Sequence, residues 1–132
     1  MVGIGIDLAP IARIAQLVRR AGATLEHWFT ANEVAAARVS DDPAFVFARA
    51  FAGKEATGKA LGIGLAMMSG RDIEVLQDDE LLTVRLAFGP ARERAAAMGA
   101  HEFAATYQLV GERVGGRAGT HVLVAVIARR ET

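Results

Sequence analysis

A helical apolar stripe with charge set into it constrains this chain more than any other feature. In the stretch FARAFAGKEATGKALGIG, Phe47 to Gly64, Phe47 and Phe51 fall four apart and Ala48, Ala52 and Ala56 follow on an adjoining line. One side of a long helix must therefore pack into a core. Glu55 lies four residues after Phe51 and four before Lys59, so a carboxylate sits on or beside the stripe with a lysine in reach on the same face. A desolvated carboxylate needs a partner, and either Lys59 or a metal ion would serve. Gly53 and Gly58 each cost the helix about 1 kcal/mol relative to alanine, so close approach by another backbone or a ligand is expected there.

The length of 132 residues suits a single domain with a real core, and no repeat, linker or composition break divides it. Basic and acidic residues balance at 15 each, which argues against a protein that holds nucleic acid by a strong overall positive field. Cysteine is absent, so disulfides, thiolate metal sites and thiol nucleophiles are excluded. The opening MVGIGIDLAPIARIA lacks the pattern of a secretory signal and no later run has the length of a membrane span. A soluble, cytoplasmic protein is expected. Hydrophobic residues make up 52% of the chain but aromatics only 6%, so the core is largely aliphatic and the chain has apolar area to bury against copies of itself.

In chain order, Val2 to Leu8 reads as a strand in which Gly3 and Gly5 invite close approach and Asp7 closes the apolar run. Asp7 would also serve to cap the next helix, Pro10 to about Ala21, whose Ile11 and Ile14 have core spacing and whose charges are Arg13, Arg19 and Arg20. Thr30 and Glu33 form a capping-box pattern for a helix from about Ala31 to Val39. Pro43 then starts the long helix, which runs to about Leu61 and is stopped by Gly62-Ile63-Gly64. Strands at Asp72 to Gln77 and Leu81 to Ala87 form a hairpin, and Pro90 opens a helix to Met98 whose Arg92 and Arg94 are read as solvated. Strands at Phe103 to Val110 and His121 to Ala128 flank GERVGGRAGT, read as a long hairpin connection. The order of elements indicates an α+β domain.

Among groups that could carry chemistry, His27, His101 and His121 have neither ligand-type spacing nor a GxSxG elbow, which disfavours a zinc site and a serine hydrolase. Asp7 and Glu55 are more informative. Two carboxylates joined by phosphate oxygens and water make a magnesium site, with Lys54 and Lys59 as cations for phosphate, provided that strand and helix meet.

The opening GIGIDLAPIARI, the FxxxE of FTANE and the segment FAGKEATGKALGIG together resemble the holo-(acyl-carrier-protein) synthase family of 4′-phosphopantetheinyl transferases. That family has a G-(I or V)-D-x-x-x-x-x-R opening and an F-A-x-K-E-A-x-x-K-A-(L or F)-G helix, and the hairpin RDIEVLQDDELLTVRLAF agrees in position. The resemblance implies a compact α+β protomer, with an antiparallel sheet packed on the long central helix, that assembles as a homotrimer binding coenzyme A between subunits. It implies Asp7 and Glu55 as ligands of Mg2+, with Glu55 and Lys59 catalytic. Lys54, Lys59, Gly62 and Gly64 would contact coenzyme A, and Arg13 and Arg20 would face an acidic acyl carrier protein. The implied reaction moves 4′-phosphopantetheine from coenzyme A to a carrier-protein serine, as fatty acid or polyketide biosynthesis requires.

The closing strands depart from the family. Where it carries a W-H-V-S segment, this chain reads HEFAATYQLVGERVGG, with no histidine-x-serine, and the arginine before the helix phenylalanine is Ala50, with Arg49 one residue earlier. Two functions therefore stand side by side. One is the transferase; the other is a repurposed member that acts on a carrier-bound or free small molecule, or serves as a non-catalytic partner.

Overall fold

The alternation of glycine with isoleucine at the start of the chain is explained by what lies on each side of it. In the computed structural model, which describes residues 1–64, 69–79, 81–87, 89–112 and 118–130, strand β1 (Gly3–Pro10) lays Gly3 and Gly5 against the long helix α4 (Pro43–Ala60). A Cβ on Gly3 would stand 1.9 Å from the Ala60 carbonyl oxygen, and one on Gly5 would stand 1.9 Å from that of Ala56. Only a bare backbone fits. The intervening Ile4, Ile6 and Leu8 point the other way and are 54%, 52% and 51% exposed.

Between β1 and α4 run α1 (Ile11–Ala21), a 3-10 turn, α2 (Leu25–Trp28) and α3 (Ala31–Arg38). After α4 come β2 (Ile73–Asp78), β3 (Leu81–Leu86), α5 (Pro90–Met98), β4 (Glu102–Glu112) and β5 (Ala118–Arg129). The strands form one antiparallel sheet in the order β1-β5-β4-β3-β2, so β1 is an edge strand beside β5. Val122, Val124 and Val126 of β5 are fully buried, as are Ala48, Ala52 and Ala56 of α4. The expected α+β architecture, a sheet packed on a central helix, is the one observed. No helix among the described residues is long and apolar enough to cross a membrane.

Most expected elements fall within two residues of their observed ends. The exception is the last hairpin, where Gly111 and Glu112 belong to β4 and Ala118 to Thr120 to β5, so the connection is shorter than GERVGGRAGT and its centre lies outside the described residues. The sheet also has a seam. β2 pairs with β3 along six residues, whereas β3 meets β4 through the single register pair Leu82 and Ala105 among the described residues.

What ties β2 to the helices is a buried charge pair. Glu33 completes the expected capping box, its Oε1 accepting from Thr30 N at 2.8 Å while Thr30 Oγ1 accepts from Glu33 N at 3.2 Å. The same carboxylate accepts from Val75 N at 2.8 Å and lies 2.6 Å from Lys54 Nζ. Lys54 Nζ also donates to the Gly70 carbonyl at 2.6 Å and to that of Ile73. Burial pushes Glu33 up and Lys54 down, each opposed by the other's charge. On the same side of α4, Gly53 makes room for Val75, whose Cγ1 would lie 2.8 Å from a Cβ there.

Two outcomes are expected. Gly5→Ala drives a methyl into a backbone oxygen and should cost about 3 kcal/mol, the upper end for overpacking, read as a lower urea midpoint at unchanged m. A loss within experimental error would contradict the contact. Lys54→Met leaves Glu33 buried and unpaired and should cost about 3–5 kcal/mol by the same measurement.

Candidate active site

The contact between β1 and α4 also places the carboxylates. Two residues of strand advance the chain by nearly the pitch of one helical turn, so Gly3 at Ala60 and Gly5 at Ala56 bring Asp7, on the same face, to the preceding turn. Glu55 stands there. The Asp7 charge is felt at Glu55, whose carboxyl is pushed above the ordinary range first by burial and then by Asp7, with Lys59 acting in the opposite sense. Lys59 Nζ reaches back across the contact to donate to Asp7 Oδ1 at 3.1 Å and to the Ile6 carbonyl at 3.0 Å. Asp7 is not a helix cap, since α1 begins after Pro10 with no side-chain cap.

Asp7 and Glu55 open into a cleft of about 500 Å³. Its opposite wall is α1, where Arg13, Leu17 and Arg20 recur at helical spacing, and its end is closed by Trp28 and Phe51, with ring centroids 6.4 Å apart. The cleft thus joins two carboxylates, two arginines and an apolar floor. Leu17, Trp28 and Phe51 escaped the sequence reading, which took Phe51 for core; the only signal was its place one helical turn before Glu55.

The pair of carboxylates suits a hard divalent cation. Among the described residues no group of three or more candidate ligands is gathered as a full protein cage. Mg2+ needs no such cage, because one or two carboxylates suffice when water and phosphate oxygens complete its shell. Lys59 already neutralises part of the charge, and its side chain is 54% exposed, free to turn to an incoming anion.

Other expected site residues are placed differently. Lys54 does not join the cleft: one residue before Glu55, it is rotated about 100° around the helix and sealed at 1% exposure by Glu33 and two carbonyls. A contact between Lys54 and coenzyme A is thereby corrected to a structural role. Gly62 has a φ of 72° and ends α4 in a Schellman motif, with Ile63 N donating to the Gly58 carbonyl at 2.8 Å and Gly62 N to that of Lys59 at 3.1 Å. Gly64 has open space where a side chain would stand. Arg94, read as solvated, instead donates from Nε to the Leu61 carbonyl at 2.9 Å and braces this helix end. None of the three histidines lines the cleft.

A family model described as the 4′-phosphopantetheinyl transferase superfamily matches residues 3–109. The holo-(acyl-carrier-protein) synthase of Methylobacterium radiotolerans is 46% identical over 101 residues, covering 74% of this chain and 74% of that protein. The synthase of Alkalilimnicola ehrlichii is 38% identical over 103 residues, 76% of this chain and 80% of the relative. The matches to the Clostridium beijerinckii and Alkaliphilus oremlandii synthases span only 64% and 62% of those proteins. Among solved structures, the Helicobacter pylori holo-(acyl-carrier-protein) synthase in complex with coenzyme A superposes with a TM-score of 0.73 at 23% identity, covering 96% of this chain and 99% of that one. The Neisseria meningitidis synthase gives a TM-score of 0.71 at 26% identity, over 98% and 99%. The fold extends along the whole chain, while the family model stops in β4, ahead of the last strand. The chain belongs to the 4′-phosphopantetheinyl transferase superfamily.

Proposed function

We propose that this protein transfers 4′-phosphopantetheine from coenzyme A to a serine of an apo acyl carrier protein. The observation that carries the reading is the meeting of Asp7 and Glu55 at one cleft whose far wall bears Arg13 and Arg20, with Lys59 paired to Asp7 beside it. The names of the relatives and the coenzyme A complex of the Helicobacter pylori protein support it.

In the proposed reaction the serine Oγ attacks the β-phosphorus of coenzyme A, a new P–O bond forms, and the pyrophosphate P–O bond breaks to release 3′,5′-adenosine bisphosphate. Asp7 and Glu55 would hold Mg2+, which when bound would offset the charge developing on the pyrophosphate. Lys59 turns from Asp7 to a phosphate oxygen. The serine proton passes to a base or water at the site. Gly64, with nothing where a side chain would be, lets the backbone approach the nucleotide, and Gly62 sets the turn that presents it. Arg13 and Arg20 face the acidic carrier protein.

Self-association into a homotrimer, with coenzyme A between subunits, is part of the same proposal. It is supported by the apolar row Ile4, Ile6 and Leu8 on an edge strand, each more than half exposed. A cytoplasmic location fits these substrates. The second reading, a member repurposed for another small molecule or as a non-catalytic partner, draws on one observation: β4 holds no histidine-x-serine and the family model ends at residue 109.

Incubation with apo carrier protein, coenzyme A and Mg2+ should yield the phosphopantetheine adduct by mass spectrometry; no adduct with several carrier proteins would refute the transferase. Glu55→Gln should lower the rate by about 10²-fold or more. In the metal-free protein the same change should stabilise the fold at neutral pH by removing a partly buried charge and its repulsion from Asp7. Because the folded-state pKa of Glu55 is raised, wild-type stability is lost as pH rises from the ordinary glutamate range through that value. The advantage of the variant therefore vanishes at low pH, where Glu55 is protonated, and is full above it. Stabilisation by added Mg2+ should fall as pH drops through the same range. Arg13→Glu with Arg20→Glu should raise KM for the carrier protein about tenfold with little change in kcat, an effect that shrinks with salt.

A further inference from the structure

On the N-terminal half of α4 a second cavity, of about 530 Å³, opens between the α3–α4 turn and the end of β2 and shares no residue with the Asp7–Glu55 cleft. Arg49 stands in its wall. The residue is only 6% exposed, and a guanidinium stays charged even where burial lowers its pKa. Buried cations ordinarily face an anion, because the desolvated charge is otherwise costly.

Arg49 faces none among the described residues. Its NH1 donates to Gln77 Oε1, and the Tyr107 hydroxyl is the other polar group beside it; neither is a carboxylate. The rings of Phe45 and Tyr107 lie 4.9 and 5.1 Å from the guanidinium carbon and satisfy its faces. The remaining N–H groups and the net charge have no counterpart among the described residues. Every other buried charge in this region is matched: Lys54 by Glu33, and Glu74 by Arg85, Thr30 and Asn32. The cavity therefore sets the Arg49 fork beside the apolar Phe45, Val46 and Leu76, with Asn32, Ser40 and Gln77 as its other polar lining.

We propose that this cavity binds a small molecule bearing an oxyanion, a carboxylate or a phosphate monoester, whose oxygens accept from the Arg49 guanidinium while its apolar part rests on Phe45, Val46 and Leu76. Arg49 supplies paired donors that match such a group, and the aromatic rings hold the fork in one orientation. The site is independent of the transferase reading, since neither Asp7 nor Glu55 takes part.

Tyr107 is the one tyrosine of the chain, so ring-13C-labelled tyrosine gives a single set of signals that reports on this cavity. Titration with inorganic phosphate or pentanoate at constant ionic strength should move those signals saturably, with a Kd of about 1 mM or tighter. Response to phosphate alone would identify a phosphate ester as the ligand class, and response to pentanoate alone an organic acid. Arg49→Gln should abolish the shift. Arg49→Lys, which keeps the charge but loses the fork, should weaken it about tenfold and carries the comparison if the glutamine variant does not fold. Glu55→Gln should titrate like the wild type, so this proposal and the transferase reading can fail separately. Signals that do not move, that move alike with chloride, or that move equally in either Arg49 variant would overturn the proposal and leave Arg49 as an aromatic-stacked tie between α4 and β4.

Discussion

Everything in this structure depends on two backbones touching. Where β1 crosses α4, the Cα atoms of Gly3 and Gly5 rest on the carbonyl oxygens of Ala60 and Ala56, with no side chain between them. Ordinary strand-to-helix packing interposes a layer of side chains, and its removal here draws the next inward residue, Asp7, onto the helix turn of Glu55. A lysine that could have satisfied Glu55 within the helix is also recruited across the contact to Asp7 and Ile6. The site is a by-product of missing methyl groups.

Along α4 the charges divide by angle. Glu55 and Lys59, four residues apart, share the face that meets β1, whereas Lys54, rotated by one residue, points into the gap between α3 and β2. One lysine is half-exposed and paired with Asp7; the other is sealed. Their adjacent positions in sequence conceal opposite physical situations. Arg94 and the Gly62 turn then fix the helix end that leads to the open backbone at Gly64.

Much of this was legible in the residues. The cost of a carboxylate on an apolar stripe singled out Glu55, the glycines of β1 announced a close approach, and Thr30 with Glu33 announced a helix start. The identity of the approaching group was not legible, because nothing local distinguishes a ligand from a helix backbone at Gly3 and Gly5. Lys54 was misjudged for a related reason: its partner is a capping glutamate whose Oε1 takes Lys54 as well as Thr30 N, a pairing that only the fold brings together. The apolar end of the cleft stayed hidden because Trp28 lies in a four-residue helix too short for periodicity to place it. Gly111 and Gly119 read as loop residues, although positive φ values let both continue in strands.

The seam in the sheet has a consequence for how the hairpin is held. β1, β5 and β4 are joined by long ladders and backed by α4, whereas the β2–β3 hairpin meets them edge-on through one register pair. Its attachment draws as well on the carboxylate of Glu33 at Val75, the ammonium of Lys54 at Ile73, the bonds of Thr30 and Asn32 to Glu74, and the bond of Arg49 to Gln77. The hairpin is thus carried into the common core by the side chains of Ile73, Val75 and Leu82 and by these polar ties rather than by a continuous strand ladder.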